Sequence, residues 1–321
     1  MQAPSFRFRR LRQSSSLRAL VRENSLSCDD LIWPVFVEEG IQQPVAIESM
    51  PGVQRLPEAD LPAAVQKAWA LGIKAIMLFG VSHNKDDVGS DTWNSEGLMA
   101  RIITSAKQAQ PEMVVISDNC FCEYTDHGHC GVVCNDDVDN DATLANLARQ
   151  AVVAAQAGAD VIAPSGMMDG MIAVLRSALD DAGFSHTPIM SYSTKFASAF
   201  YGPFRDAVDS SFKGSRNTYQ MDVANGDEAI EESMQDELEG ADFLMVKPAM
   251  AFMDVIYRIK QASARPLVAY QVSGEYAMIK QAGIASVIDA DAVMMESLIG
   301  LKRAGADLII CYAALDIAAS L

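Results

Sequence analysis

Eight short runs of apolar residues, many of them β-branched, recur along the chain: residues 31–37, 75–81, 113–117, 161–164, 188–194, 243–246, 266–272 and 308–312. They are nearly continuous in hydrophobicity rather than alternating, so each strand they form must be covered on both faces. Longer helix-like stretches lie between them, at residues 57–71, 95–110, 141–157, 169–182, 228–239 and 290–304. Strands alternating with helices specify a parallel sheet wrapped by helices. The triplets Gly158-Ala159-Asp160, Gly240-Ala241-Asp242 and Gly305-Ala306-Asp307 each close a helix and open a strand. Glycine suits the left-handed backbone of such a helix end, and the recurring junction marks repeated αβ units. Eight strands predict a closed (β/α)8 barrel, the TIM-barrel form, over an open doubly wound sheet. No G-x-G-x-x-G or P-loop pattern follows any run, which argues against a nucleotide-binding fold.

The 321 residues are half hydrophobic, ample for one barrel with a large core. Residues 1–25 precede the first strand and predict an N-terminal arm, leaving 26–321 as the barrel. The stretch Phe6-Arg7-Phe8-Arg9-Arg10-Leu11-Arg12 is basic but has no apolar run of the kind a signal peptide needs. An arm that docks on a partner subunit is expected, in preference to a transit peptide or a nucleic-acid arm. The net charge of −17 disfavours nucleic-acid binding and fits a freely soluble protein. No apolar run reaches the ~18 residues of a membrane span. Six cysteines in so long a chain do not look like a disulfide framework; reduced thiols or a metal site in the cytoplasm fit better.

Barrel chemistry collects at the C-terminal ends of the strands. Read in order, those ends carry Asp118 with neighbouring cysteines, Ser165, Lys195, Lys247, Ser273 and Tyr312. Cys120, Cys122 and Cys130 place three soft sulfur donors within eleven residues, enough to hold one zinc ion and leave a coordination position open. His127 and His129 lie in the same loop and are expected beside the metal rather than on it. Cys28, Cys134 and Cys311 read as small core or loop residues. Lys195 and Lys247 end what should be consecutive strands. Each disfavours the other's charge, and burial does the same, so a neutral, nucleophilic amine becomes available to attack a ketone. The segment 196–227 is long for a barrel loop and predicts a lid. Its Arg205 and Arg216 suit a substrate carboxylate.

These residues fall within long motifs. They include Asp118-Asn119-Cys120-Phe121-Cys122-Glu123-Tyr124, Gly128-His129-Cys130-Gly131, Met190-Ser191-Tyr192-Ser193-Thr194-Lys195-Phe196, Phe200-Tyr201-Gly202-Pro203-Phe204-Arg205, Met245-Val246-Lys247-Pro248-Ala249 and Ala269-Tyr270-Gln271-Val272-Ser273-Gly274-Glu275-Tyr276. In these motifs the chain resembles the porphobilinogen synthase (5-aminolevulinate dehydratase) family, from about residue 30 to Tyr312. The resemblance implies a (β/α)8 barrel whose N-terminal arms embrace neighbouring subunits, usually in a homo-octamer. It implies condensation of two 5-aminolevulinates to porphobilinogen with loss of two waters, in tetrapyrrole (haem) biosynthesis. It further implies that Lys247 forms the Schiff base with the first substrate and Lys195 with the second, or that Lys195 assists as an acid or base. By the same resemblance, Ser273 and Tyr312 hold the first carboxylate. Arg205, Arg216 and Gln220 hold the second, and Asp118 moves a proton or holds an amine. The three cysteines match the zinc-dependent branch, and Glu232 matches a position that binds an activating magnesium ion in bacterial relatives. A class I aldolase-like barrel would also use a lysine imine, but needs neither a three-cysteine site nor a lid with two arginines. A zinc-binding barrel without activity is the other alternative, and the retained lysine pair speaks against it.

Overall fold

The structure is a computed structural model that describes residues 6–208 and 214–321. Residues 1–5 of the expected arm and 209–213 of the expected lid lie outside the described residues.

Eight parallel strands form the barrel: β1 (Leu31–Glu38), β2 (Ala75–Val81), β3 (Val114–Asn119), β4 (Val161–Pro164), β5 (Met190–Lys195), β6 (Phe243–Lys247), β7 (Leu267–Tyr270) and β8 (Leu308–Ile310). The ladder runs from β4 through β3, β2, β1, β8, β7 and β6 to β5. A bridge between Ile162 and Ile189 joins its two ends, so the sheet closes. The (β/α)8 expectation therefore holds. Strands β2 and β4 occupy the expected residues, while β7 is shorter, ending before Gln271.

The flanking helices are α1 (Leu61–Ala70), α2 (Leu98–Ala109), α3 (Asn140–Gln156), α4 (Met171–Asp181), α5 (Gly226–Glu239), α6 (Met253–Ala262), α7 (Ser273–Ile284) and α8 (Ala290–Ala304). Side-chain caps set two starts: Asp139 accepts from the Ala142 N–H and Asp289 from that of Ala292. Two ends follow the expected glycine rule, with Gly240 at φ 110° and Gly305 at φ 119°. The core runs through and around the barrel, and its largest fully buried side chains include Tyr192, Tyr270, Phe36 and Phe79.

Ahead of β1, two short helical segments, Phe8–Arg12 and Ser15–Leu20, contain no buried residue. Phe6, Phe8 and Leu20 are each exposed by more than two thirds. Apolar side chains left this way have no place in the chain's own core. No helix among the described residues is long and apolar enough to cross a membrane.

Candidate active site

The lysines owe their placement to a local irregularity. Strands β5 and β6 pair Phe243 with Met190 and Leu244 with Ser191, then shift so that Val246 pairs with Thr194 and Lys247 with Lys195. One extra residue on β5 takes up the shift, as in a β-bulge. Continued in its first register, Lys247 would have met Thr194. With the shift the two lysines stand level at the barrel mouth and face the same side, on strands ~4.8 Å apart.

Their surroundings differ. Lys247 Nζ lies 4.3 Å from the centre of the Tyr270 ring, 5.0 Å from Tyr192, 5.3 Å from Phe204 and 5.6 Å from Tyr201. Burial pulls its ammonium down to about 7 and the nearby Lys195 charge adds to this, against the pull of Asp118. Lys195 Nζ instead donates to the Ser165 carbonyl at 2.5 Å. Asp118 lies within the field of both. Its Oδ1 accepts from the Tyr192 hydroxyl at 2.7 Å and its Oδ2 from Ser165 Oγ at 3.3 Å. Burial raises this carboxyl to about 7, with Cys120 adding to the rise and Lys247 opposing it. A carboxyl and an amine that both titrate near neutrality can exchange protons with a bound substrate.

Beyond β3 the chain brings Cys120, Cys122 and Cys130 together, all buried, with sulfurs within 4.8 Å of one another. The Cys120 and Cys122 sulfurs lie 3.2 Å apart, and the Cys120 carbonyl accepts from Gln150 of α3 at 2.9 Å. Hydrogen bonds from the other two thiols hold Cys130 well below the usual thiol range, and Arg216 and Lys195 help. Three buried sulfurs this close, one already inclined to ionise, fit a soft divalent metal. Asp118, Cys120 and Glu123 form a second, overlapping group of possible ligands. Neither histidine belongs to these groups: His127 Nε2 lies 3.0 Å from the Asp87 carbonyl and His129 Nδ1 3.2 Å from the Tyr219 hydroxyl. Of the remaining cysteines, Cys311 is buried, Cys28 half-buried and Cys134 exposed.

A cavity of about 240 Å³ collects most of the expected site, with Asp118, Cys120, Cys122, Lys195, Lys247, Arg205, Arg216 and Gln220 in its wall. Arg205 comes from the short helix Gly202–Ala207 inside the lid. Arg216 donates to the Gly128 carbonyl at 2.9 Å. Burial works against its charge, but the sulfurs of Cys130 and Cys122 outweigh burial and hold the guanidinium more firmly protonated than usual. The Gln220 amide nitrogen is buried with no partner among the described residues, a donor left for a ligand.

Ser273 and Tyr312 are buried but are not in that wall. They stand on the Lys247 side: the Tyr312 hydroxyl is 3.0 Å from that of Tyr270, and Ser273 Oγ donates to the Phe200 carbonyl at 3.4 Å. Glu232 is remote, on α5, lining a separate cavity of about 410 Å³ with Asp169, Glu228 and Glu239. It is not the fully solvated acid usual on a helix face; burial and those three carboxylates raise it to about 7.

Sequence reasoning passed over Tyr192, Tyr270 and Glu123 as site residues. The strand pattern could have flagged Tyr192, a polar-tipped aromatic three residues before Lys195 in a buried strand. For Glu123 the only signal was its position beside Cys122.

With this geometry in hand, known proteins give the context. A family model described as Delta-aminolevulinic acid dehydratase matches residues 5–320. The enzyme of that name from Escherichia coli (strain K12) is 57% identical over 310 residues, 97% of this chain and 96% of the relative. The one from Bacillus subtilis (strain 168) is 49% identical over 313 residues, 97% of each chain. Among solved structures, delta-aminolevulinic acid dehydratase (porphobilinogen synthase) from Toxoplasma gondii ME49, in complex with the reaction product porphobilinogen, matches with a TM-score of 0.97. It is 41% identical, and the match covers 100% of this chain and 93% of that one.

Proposed function

The chain belongs to the delta-aminolevulinic acid dehydratase family, and on that premise we propose that it condenses two molecules of 5-aminolevulinate to porphobilinogen, with loss of two waters. One observation carries the reading: two buried lysines paired in register, one of them titrating at about 7, beside three clustered thiols.

The Lys247 amine attacks the ketone of the first substrate and expels water, giving an imine. Among aromatic rings that exclude solvent, this imine is shielded from hydrolysis. Ser273 and Tyr312 hold the carboxylate of that molecule. Lys195 forms the second imine or moves a proton for it, while Arg205, Arg216 and Gln220 hold the second carboxylate. Loss of a proton beside an imine carbon turns it into an enamine, the nucleophile for carbon–carbon bond formation. Asp118, close to neutral and held by Tyr192 and Ser165, takes or returns that proton. Two carboxylate clamps fix which molecule gives and which receives, and orientation of this kind supplies much of a rate enhancement.

Cys120, Cys122 and Cys130 would hold zinc. Bound there, zinc would supply a Lewis acid for the amine or ketone oxygen of the second substrate. Glu232 is proposed as a ligand of an activating magnesium ion, since its cavity gathers six carboxylates. The arm, residues 1–25, is proposed to pack its exposed Phe6, Phe8 and Leu20 on neighbouring barrels (residues 26–321) in a homo-octamer, in the cytoplasm, without nucleic-acid or membrane partners.

The test is incubation of the purified protein with 5-aminolevulinate, with and without a strong chelator. Porphobilinogen should form, and should stop forming when zinc is stripped. No product in the zinc-loaded protein would reject the function; full activity after complete removal of zinc would reject the zinc.

A further inference from the structure

Glu275 is a carboxylate buried away from the reacting groups, yet it bridges two loops given above to one substrate molecule. It lies in the first turn of α7, wholly buried. Its Oε1 accepts the backbone N–H groups of Met250 at 2.7 Å and Ala251 at 3.4 Å. Its Oε2 accepts those of Val272 at 2.9 Å and Ala249 at 3.4 Å. Three of these donors belong to the segment that leaves β6 just after Lys247 and Pro248. The fourth belongs to the turn that delivers Ser273. A glutamate that only caps its own helix needs the last bond alone; this one also reaches into a second loop.

The neighbouring residues tie the same turn to the lid. Gly274 approaches the Phe200 carbonyl so closely that a Cβ would collide with it. Ser273 Oγ donates to that carbonyl at 3.4 Å, and the Tyr201 hydroxyl donates to the Lys247 carbonyl at 3.2 Å. The Ser273 turn, the lid and the segment after Lys247 are thereby held as one unit, with the Glu275 carboxyl group at its centre.

We propose that Glu275 is a positioning residue that fixes the separation between the Lys247 amine and the carboxylate-binding hydroxyl of Ser273, and so selects keto acids by the number of carbons between ketone and carboxylate. The inference rests on the reading that Lys247 and Ser273 act on the same molecule. In Glu275→Gln the amide nitrogen would face backbone N–H groups it cannot accept from, so one loop loses its tie.

Borohydride trapping on Lys247 measures the selection without turnover. The probes are 4-oxopentanoate, which is the substrate without its amine, and 5-oxohexanoate, one carbon longer. The wild-type protein should take label from the shorter acid well ahead of the longer one. Glu275→Gln should lower that preference by about tenfold or more, since small misplacements at a reacting centre act on this scale. Glu275→Asp keeps the carboxyl group but is one carbon short; it should fall between, and decides the matter if the glutamine variant does not fold. An unchanged preference in a folded variant overturns the proposal, because lost stability alone would lower both labels together. No preference in the wild type overturns it as well. A wild type labelled at Lys247 by neither acid would remove the underlying reading instead.

Discussion

Lys195 and Lys247 share a register, a strand end and a cavity, yet they meet different environments. Four aromatic rings surround the Lys247 amine, and burial brings the loss of its proton down to about 7. The Lys195 amine is anchored to a backbone carbonyl, has only the Tyr192 ring, 5.5 Å away, among the ring contacts of the described residues, and helps hold Cys130 ionised. Register alone would make the two equivalent. The difference lies in what each is desolvated by: π faces that exclude water leave a free nucleophile, whereas a carbonyl acceptor holds an amine in place. Two identical side chains can thus take unequal parts in an unsymmetrical condensation.

The largest expected effect separates them directly. Lys247→Met should abolish porphobilinogen formation, on the order of 10⁴-fold or more for loss of a covalent nucleophile. Lys195→Met should lower turnover on the order of 10²–10³-fold, nearer the scale of acid–base loss. Equal losses in steady-state assays would mean that the difference in surroundings has no functional consequence. Next is Cys122→Ser, on the Lys195 side of the cavity. It should remove bound metal and lower turnover by ~10²-fold or more, since even lost partners of metal ligands cost ~10–100-fold. Metal analysis showing a full complement would contradict the three-sulfur site.

The pH dependence sharpens the contrast. Lys247 reacts as the neutral amine, and its proton is lost at about 7 rather than at the ordinary 10.5. Labelling by 4-oxopentanoate should therefore rise about tenfold per pH unit below neutrality and level off above it. In Lys195→Met the repelling charge is gone, so the Lys247 proton is held more tightly and the plateau should begin at higher pH. A profile still rising to pH 10 in the wild-type protein would show that burial and the Lys195 charge do not depress the amine.

The smallest effects should come from sites far from either lysine. Glu232→Ala should leave basal turnover nearly intact and remove stimulation by magnesium; a variant that is still fully stimulated would exclude that site. Deleting residues 1–22 should shrink the particle in gel filtration while the barrel stays folded, and an unchanged octamer-sized species would reject the arm as an assembly device.

The sequence was most readable where one period dominates. Residues 75–81 and 161–164 are apolar on both faces, and the structure forms β2 and β4 over those residues. Helix α7 was passed over for the opposite reason. It carries Gly274 and Gly283 and exposes Met278 and Ile284, so no clear apolar stripe runs along it. Missing the helix also left Glu275 without a role, because its four backbone partners come together only in the closed barrel. The pairing of the lysines was expected from consecutive strands, but the shift on β5 that makes them level has no local sequence signature. Tyr192 shows the same limit: its hydroxyl matters through Asp118, 74 residues earlier in the chain.

The most direct measurement is the site of covalent attachment. The protein is treated with 5-aminolevulinate and borohydride, digested, and the reduced adduct located by mass spectrometry in the wild type, Lys195→Met and Lys247→Met. The adduct should appear first on Lys247, persist there in Lys195→Met, and be absent in Lys247→Met. An adduct on neither lysine would contradict the imine chemistry, and early labelling confined to Lys195 would reverse the assignment of the two.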